Sequence, residues 1–171
     1  MGISFYIPPN IPIDETKRRE AVLSSNLLDP ELGDSFIEIA RSAARLSNTP
    51  MAAVNIVIDD HVMIAGSFGL SQKIASRSTS MCGHVILRPP HAMCIPDTKR
   101  DARFAENPVV TNMPSIRFYY GTPLLSPQGQ PLGALCVFDT APRDGLCDSI
   151  GAELEAMAAW VVRAGLGNRP A

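Results

Sequence analysis

The 171-residue chain lacks the features that mark membrane, secreted and nucleic-acid-binding proteins. No apolar run approaches the ~18 consecutive residues of a membrane helix. The N-terminus has neither the positive charge nor the apolar core of a secretory signal. A net charge of −2 argues against a surface that neutralises nucleic-acid phosphates or anionic lipids. These absences predict a cytoplasmic protein that binds neither membranes nor nucleic acid.

Cysteine is also scarce, and it occurs in a chain without an export signal. The four cysteines are Cys82, Cys94, Cys136 and Cys147. In such a chain they indicate reduced, mostly buried thiols and no disulfide framework. The pattern C-x-H-x6-H-x2-C, which starts at Cys82 and ends at Cys94, matches no structural zinc site. We therefore expect neither a metal nor a cofactor.

Hydrophobic residues make up 46% of the chain, which is enough to build a core in one domain. Three prolines in residues 1–12 predict an extended N-terminal arm. We expect a single folded domain over residues 13–166 and a short C-terminal tail over residues 167–171.

The predicted elements alternate between amphipathic helices and short apolar strands. Helices are expected over residues 14–28, 31–46, 81–88 and 148–166, and strands over residues 51–58, 61–68, 92–95, 115–125 and 132–139. Polar loops are predicted over residues 69–80 and 96–114. In the first helix, Glu15, Lys17 and Arg18 are predicted to face solvent. Consecutive strands joined by short turns imply antiparallel pairing, so we predict an α+β fold.

Six strings, in this order and spacing, resemble a GAF domain of the bacterial sensory subgroup associated with histidine kinases and cyclic-dinucleotide enzymes. They are LLD (27–29), SMCGHVI (80–86), IPD (95–97), DARFAENPVV (101–110), IRFYYGTPL (116–124) and LGALCVFD (132–139). The resemblance extends over residues 14–166. It implies a GAF/PAS-like central antiparallel sheet with helices on one face, and loops and short helices that roof a pocket on the other. It also implies a homodimer formed by the terminal helices, residues 14–28 and 148–166.

Ten residues on the short helix, the connector and the hairpin are expected to contact a ligand in this pocket. They are Met81, Cys82, His84, Val85, Asp97, Asp101, Phe104, Arg117, Tyr119 and Cys136. On the strand, Tyr119 shares a face with Arg117, and this polar face is expected to meet the pocket. A simpler interpretation buries Cys82 as a small hydrophobe, bonds His84 to a neighbouring carbonyl, and pairs Arg117 with a carboxylate.

No set of catalytic groups stands out, so we expect a non-enzymatic sensor. The resemblance implies that it signals to a histidine kinase or cyclic-dinucleotide effector, either fused or separate. Some GAF-like proteins reduce free methionine sulfoxide, so one alternative is such a reductase that uses Cys82 and Cys94. Another is a dimerising scaffold without a ligand. A linear-tetrapyrrole photosensor would need a cysteine directly before a histidine, whereas Gly83 separates Cys82 from His84. A cyclic-nucleotide site would need glycines that cradle the phosphate, and the sequence does not supply them.

Overall fold

A computed structural model describes residues 5–167, so the first four residues of the predicted arm and residues 168–171 of the predicted tail lie outside it. The helices are α1 (Glu15–Ser24), α2 (Gly33–Ser47), α3 (Cys82–Val85), α4 (Pro108–Thr111) and α5 (Asp148–Gly167). The strands are β1 (Met51–Ile58), β2 (His61–Phe68), β3 (Ile74–Ser76), β4 (Met93–Ile95), β5 (Phe118–Leu125) and β6 (Pro131–Asp139). Within the described part, none of the helices combines the length and hydropathy that a membrane crossing requires.

The six strands form one sheet in the order β3-β2-β1-β6-β5-β4, and every neighbouring pair is antiparallel. The predicted α+β class is therefore confirmed. The central strands β1 and β6 are buried along nearly their whole length because both faces of the sheet are covered. This double burial explains why both strands are continuous apolar runs.

One face of the sheet carries the helical layer. Phe36 and Ala40 of α2, Leu154 and Val161 of α5, and Val22 of α1 are buried there in one core cluster. The α2 helix lies directly on β2, since a Cβ atom placed on Gly66 would come within 2.4 Å of the backbone of Phe36.

The opposite face carries loops and short helices over a second, separate cluster. Met81, Cys82 and Val85 from the α3 region and Phe104 from the following connector are buried against this face. Successive side chains along each strand point to opposite faces of the sheet, so they are divided between the two clusters. In β1, for example, Val54 packs in the helical layer whereas Val57 packs in the second cluster.

The described part of the N-terminal arm crosses the outside of this second layer without regular structure. The amide of Ile7 donates to the carbonyl of Arg103 at 3.0 Å. Pro9 lies so close to α3 that a Cβ atom on Gly83 would be 2.5 Å from its ring. The arm therefore holds α3 and the connector together.

Two expectations about the first helix were wrong. It ends at Ser24, four residues earlier than predicted, and Asn26 with φ of 57° turns the chain into the left-handed region soon afterwards. Arg18 does not face solvent but is 1% exposed, and its Nη1 donates to the carbonyls of Val57 (2.7 Å) and Pro131 (3.2 Å). A guanidinium can be buried in this way because backbone carbonyls and the carboxylate of Glu15 satisfy its donors.

The predicted polar loop over residues 69–80 contains an edge strand, β3, and a 3-10 turn over Arg77–Thr79. The β3 strand has three residues and remains largely exposed, so its sequence carries no apolar alternation. The predicted irregular connector likewise contains a 3-10 turn over Thr98–Arg100 and the short helix α4.

Candidate functional site

A cavity of about 260 Å³ lies between the sheet and the covering loops on the face opposite the helical layer. Its floor includes Asn55 of β1 and Tyr119 of β5, and Cys82 at the start of α3 forms part of its wall. Gln72, Asn112 and Met113, which are exposed, also line it, so the cavity reaches the surface of the molecule.

The remaining lining is apolar or hydroxylated. It comprises Val62, Ile64, Leu70, Ala75, Thr79, Ser80, Met81, Pro108, Val109, Pro114, Ile116 and Phe138. No Asp, Glu, Lys, Arg or His is among the described residues that line this cavity. The site can therefore offer hydrogen bonds and apolar contact, but it offers no charge to pair with an ion.

Four buried side chains meet at the floor. Cys82 Sγ lies 3.2 Å from Cys136 Sγ, and the hydroxyl of Tyr119 lies 3.4 Å from the first sulfur and 3.1 Å from the second. Asn55 Nδ2 donates to Cys82 Sγ at 3.2 Å. Strands β1, β6 and β5 supply three of these groups and α3 supplies the fourth, so the cluster exists only in the folded chain.

Only the nitrogen of the Asn55 side-chain amide has hydrogen-bond partners within the described part of the chain. Asn55 is 5% exposed, and its Oδ1 has no hydrogen-bond partner within residues 5–167. Exchanging the amide oxygen and nitrogen would leave the nitrogen unpaired instead, so the Asn55 side chain keeps one unpaired atom in either orientation. A buried polar atom without a partner is costly and rare in native proteins, which makes this atom a candidate ligand contact.

The two sulfurs differ in their acidity. The hydrogen bond from Cys136 is the largest effect that lowers the pKa of Cys82. Together with weaker contributions from Tyr119, Asn55 and Ser80 it outweighs desolvation, and the pKa of Cys82 falls to about 7. Desolvation raises the pKa of Cys136 well above its usual value, and the neighbouring Cys82 raises it further. Desolvation likewise raises the pKa of Tyr119, which remains a hydroxyl donor. Near neutral pH, thiolate character is therefore concentrated on Cys82.

Of the ten residues predicted to contact a ligand, three line this cavity: Met81, Cys82 and Tyr119. Cys136 contacts Cys82 and Tyr119 from behind but is not part of the lining. The strand face that carries Tyr119 therefore meets the cavity, while Phe118 packs in the helical layer.

Three predicted residues from α3 and the connector lie elsewhere. His84 Nε2 lies 3.0 Å from the carbonyl oxygen of Ile7, and its ring packs edge-on against Phe104 at 4.9 Å between centroids. Phe104 is completely buried. Val85 and His84 border a different groove under the N-terminal arm. The bond from His84 to a backbone carbonyl matches the simpler interpretation of this residue.

The predicted charged residues form ion pairs outside the cavity. Arg117 binds both carboxylate oxygens of Asp97 at 3.0 and 2.9 Å, which fastens the connector to the start of β5. Asp101 pairs in the same way with Arg103 at 2.9 and 2.6 Å. Asp97 and Asp101 border a shallow surface depression with Arg143. These carboxylates have satisfied partners, as expected of structural ion pairs.

Cys94, the second cysteine of the predicted reductase alternative, is exposed on the edge strand β4 and does not line the cavity. The neighbour of Cys82 is instead Cys136, a pairing that sequence spacing did not indicate. Asn55 was also missed, although it is a polar residue in the middle of the apolar strand MAAVNIVI. A single amide side chain in a strand that is buried on both faces indicates a specific role for that residue, because burying an unpaired polar group is costly.

Comparisons with known proteins agree with this architecture. A cyclic di-GMP phosphodiesterase of Pseudomonas aeruginosa is 35% identical over 154 residues, which cover 90% of this chain but only 26% of that protein. The chain thus spans about a quarter of the length of that relative.

Two solved structures share the fold at low sequence identity. A type II free methionine-R-sulfoxide reductase from Thermoplasma acidophilum superposes with a TM-score of 0.65 at 11% identity, covering 81% of this chain and 95% of that chain. A GAF domain/HD domain protein from Geobacter sulfurreducens superposes with a TM-score of 0.60 at 15% identity, covering 84% and 96%. At these identities the likeness shows the fold alone.

The family model for the GAF domain matches residues 31–164, which include all six described strands, α2, α3, α4 and all but the last three residues of α5. The structure has the antiparallel sheet, the helical layer and the roofed cavity that the sequence resemblance implied. This chain belongs to the GAF domain family.

Proposed function

We propose that this GAF domain is a non-enzymatic sensor whose cavity binds a small, uncharged molecule that carries a hydrogen-bond donor. The observation that carries the proposal is an uncharged cavity bordered by Asn55, whose side-chain oxygen is buried and has no hydrogen-bond partner among residues 5–167. An N–H or O–H group of a ligand would satisfy this oxygen, and apolar atoms of the ligand would fill the space between Val62 and Phe138.

The size and chemistry of the cavity restrict the ligand. Its volume of about 260 Å³ is slightly below the range of roughly 300–1,000 Å³ typical of drug-sized sites. A phosphate or carboxylate group would lose its hydration there without gaining a cationic partner. The cavity thus disfavours cyclic dinucleotides as its occupants and favours compact neutral amides, alcohols or heterocycles.

The strands provide a route by which occupancy could reach the helices. Asn55 faces the cavity, while its neighbours Val54 and Ile56 pack in the helical layer with α2 and α5. A ligand that pulls on Asn55 therefore acts on a strand whose other face is packed against those helices. For binding to act as a signal, the sheet and helices must pack in two alternative arrangements, and the ligand must bind one of them more tightly than the other.

The terminal helices supply the output surface in this proposal. Leu23 on α1 and Trp160 on α5 remain 54% and 40% exposed, and Leu28 follows α1 with 39% exposed. The C-terminal end of α5 lies beside the segment after α1, since a Cβ atom on Gly165 would be 2.4 Å from the Ser25 carbonyl oxygen. We propose that these helices form a homodimer and pass the change to an effector, a fused or separate histidine kinase or cyclic-dinucleotide enzyme.

Native mass spectrometry of freshly purified protein tests ligand binding directly. A bound neutral molecule that is lost in Asn55→Leu supports the proposal. A screen by ligand-observed NMR extends the test to purified apo-protein with matched uncharged amides and carboxylates of equal size. Preferential binding of carboxylates, or binding that is unchanged in Asn55→Leu, would contradict it.

A further inference from the structure

The paired thiols beneath the cavity are not needed for binding a neutral ligand, yet their arrangement is specific. Cys82 comes from α3 and Cys136 from the central strand β6, and their sulfurs are 3.2 Å apart. Both residues are at most 1% exposed. Cys94 and Cys147, in contrast, are exposed and have other neighbours.

The two sulfurs also have different access to a reagent. Cys82 forms part of the cavity wall, whereas Cys136 lies behind it and is not part of the lining. A small molecule that enters the cavity therefore meets Cys82 first. The hydroxyl of Tyr119, within 3.4 Å of both sulfurs, is placed to donate a hydrogen bond to an oxygen that leaves during reaction.

We propose that Cys82 and Cys136 form a peroxide-reactive dithiol, in which Cys82 is the attacking sulfur and Cys136 the resolving sulfur. The oxidant is a small hydroperoxide, ROOH, which is uncharged and so fits a cavity whose described lining carries no charge. The proposal needs only the cavity and the thiol pair, so it does not depend on the sensory function proposed above.

The reaction balances in two steps. The Cys82 thiolate attacks one oxygen of ROOH, the O–O bond breaks, and the departing alkoxide takes the proton released by Cys82 and leaves as ROH. Cys82 is then a sulfenic acid. The Cys136 thiol next attacks Cys82 Sγ, the S–O bond breaks, and the hydroxyl departs as water with the proton of Cys136. Two thiols and ROOH thus yield one disulfide, ROH and water.

Formation of the disulfide would alter the cavity. The sulfurs must approach from 3.2 Å to about 2.0 Å, which draws the start of α3 towards β6. The bond also removes the thiol that faces Asn55 Nδ2. The oxidised pocket would therefore differ from the reduced one in shape and in the hydrogen bonding of its floor.

The test uses the full chain with Cys94→Ser and Cys147→Ser, which removes the exposed thiols and leaves the buried pair intact. After reduction, the protein is treated with hydrogen peroxide and, separately, with tert-butyl hydroperoxide. We expect an intramolecular cross-link that lowers the intact mass by two hydrogens and joins the Cys82 and Cys136 peptides. In the same background, the reaction of the Cys136→Ser variant should stop at a Cys82 sulfenic acid, which dimedone labels. Tyr119→Phe should slow the reaction by about tenfold.

Differential alkylation of the unmodified chain gives the same answer without relying on the folding of any variant. Folded protein is exposed to peroxide, denatured, labelled and digested, and the oxidation of each cysteine is measured. Loss of free Cys82 and Cys136 together, ahead of Cys94, supports the proposal. Oxidation of Cys94 or Cys147 first, or oxidation of Cys82 only under denaturing conditions, would overturn it. Failure to find a small-molecule ligand would leave this result unaffected.

Discussion

The carboxylate of Glu15 accepts a hydrogen bond from Arg77 Nη1 at 2.6 Å and thereby joins α1 to the 3-10 turn that follows β3. The same carboxylate accepts two bonds from Arg18, whose guanidinium is buried. Glu15 thus neutralises a buried cation while fastening the helical layer to the edge of the sheet. A buried guanidinium without this partner would be costly.

This network predicts an acid-sensitive contribution to stability. Desolvation raises the pKa of Glu15, but hydrogen bonds from Arg18 and Arg77 outweigh it, and the pKa falls from 4.5 to about 2. Because the folded-state pKa is depressed, the contribution is fully present above about pH 4.5 and is lost as the pH falls towards 2. We expect Glu15→Gln to lower the free energy of unfolding by about 2 kcal/mol at pH 7, measured by urea denaturation.

The difference between Glu15→Gln and the unsubstituted chain should shrink steadily as the pH is lowered from 4.5. Asp97→Asn is the matched control, because the pair of Asp97 with Arg117 lies nearer to solvent and should contribute less. An unfolding difference that stays constant between pH 7 and pH 3 would contradict the role assigned to the Glu15 carboxylate.

The unpaired Oδ1 atom of Asn55 predicts that replacing this residue does not destabilise the unliganded protein. Asn55→Leu removes a buried oxygen that has no partner among the described residues, together with the weak bonds that Nδ2 donates to the two sulfurs. We expect the unliganded variant to be as stable as the parent, or more stable by about 1 kcal/mol, in urea denaturation. A loss of more than about 1 kcal/mol would indicate that Asn55 serves the packing of the sheet instead of a ligand.

The acidity of Cys82 predicts the pH dependence of its alkylation. Iodoacetamide reacts with the thiolate, so modification of Cys82 should rise with a midpoint near pH 7. Partial desolvation raises the pKa of Cys94 and shifts its reaction to higher pH. Peptide mapping by mass spectrometry after short exposures measures both sites in one sample. Cys136→Ala should move the Cys82 midpoint upward, because the bond from Cys136 is the main cause of its low pKa. A Cys82 midpoint at or above that of Cys94 would refute this assignment.

The exposed apolar side chains of the terminal helices predict that self-association depends on Trp160. We expect a dimer by light scattering coupled to size exclusion, and we expect Trp160→Glu to weaken it by at least about thirtyfold. Ile74→Glu is the control, since Ile74 is 51% exposed on the edge strand β3, away from those helices. A monomeric parent chain, or equal weakening by both substitutions, would contradict a dimer through α1 and α5.

The local sequence pattern was sufficient to predict much of the fold. The bounds of β1 and β2 were predicted to the residue, because a run of apolar β-branched side chains between turn residues admits few alternatives. Strand β3 was missed because an exposed edge strand of three residues has no such pattern. The GAF family resemblance rested on strings spread over most of the chain, and the family match confirms it.

The sequence by itself determined the strands other than β3, the main helices and the antiparallel α+β class, since these follow from periodicity and turn chemistry over short stretches of chain. Only the tertiary structure decided that Cys82 meets Cys136, that Asn55 borders the cavity with its side-chain oxygen unpaired, and that Arg18 is buried. These three facts depend on groups brought together from segments 27 to 113 residues apart. Such contacts are set by the packing of whole layers, which no local spacing encodes.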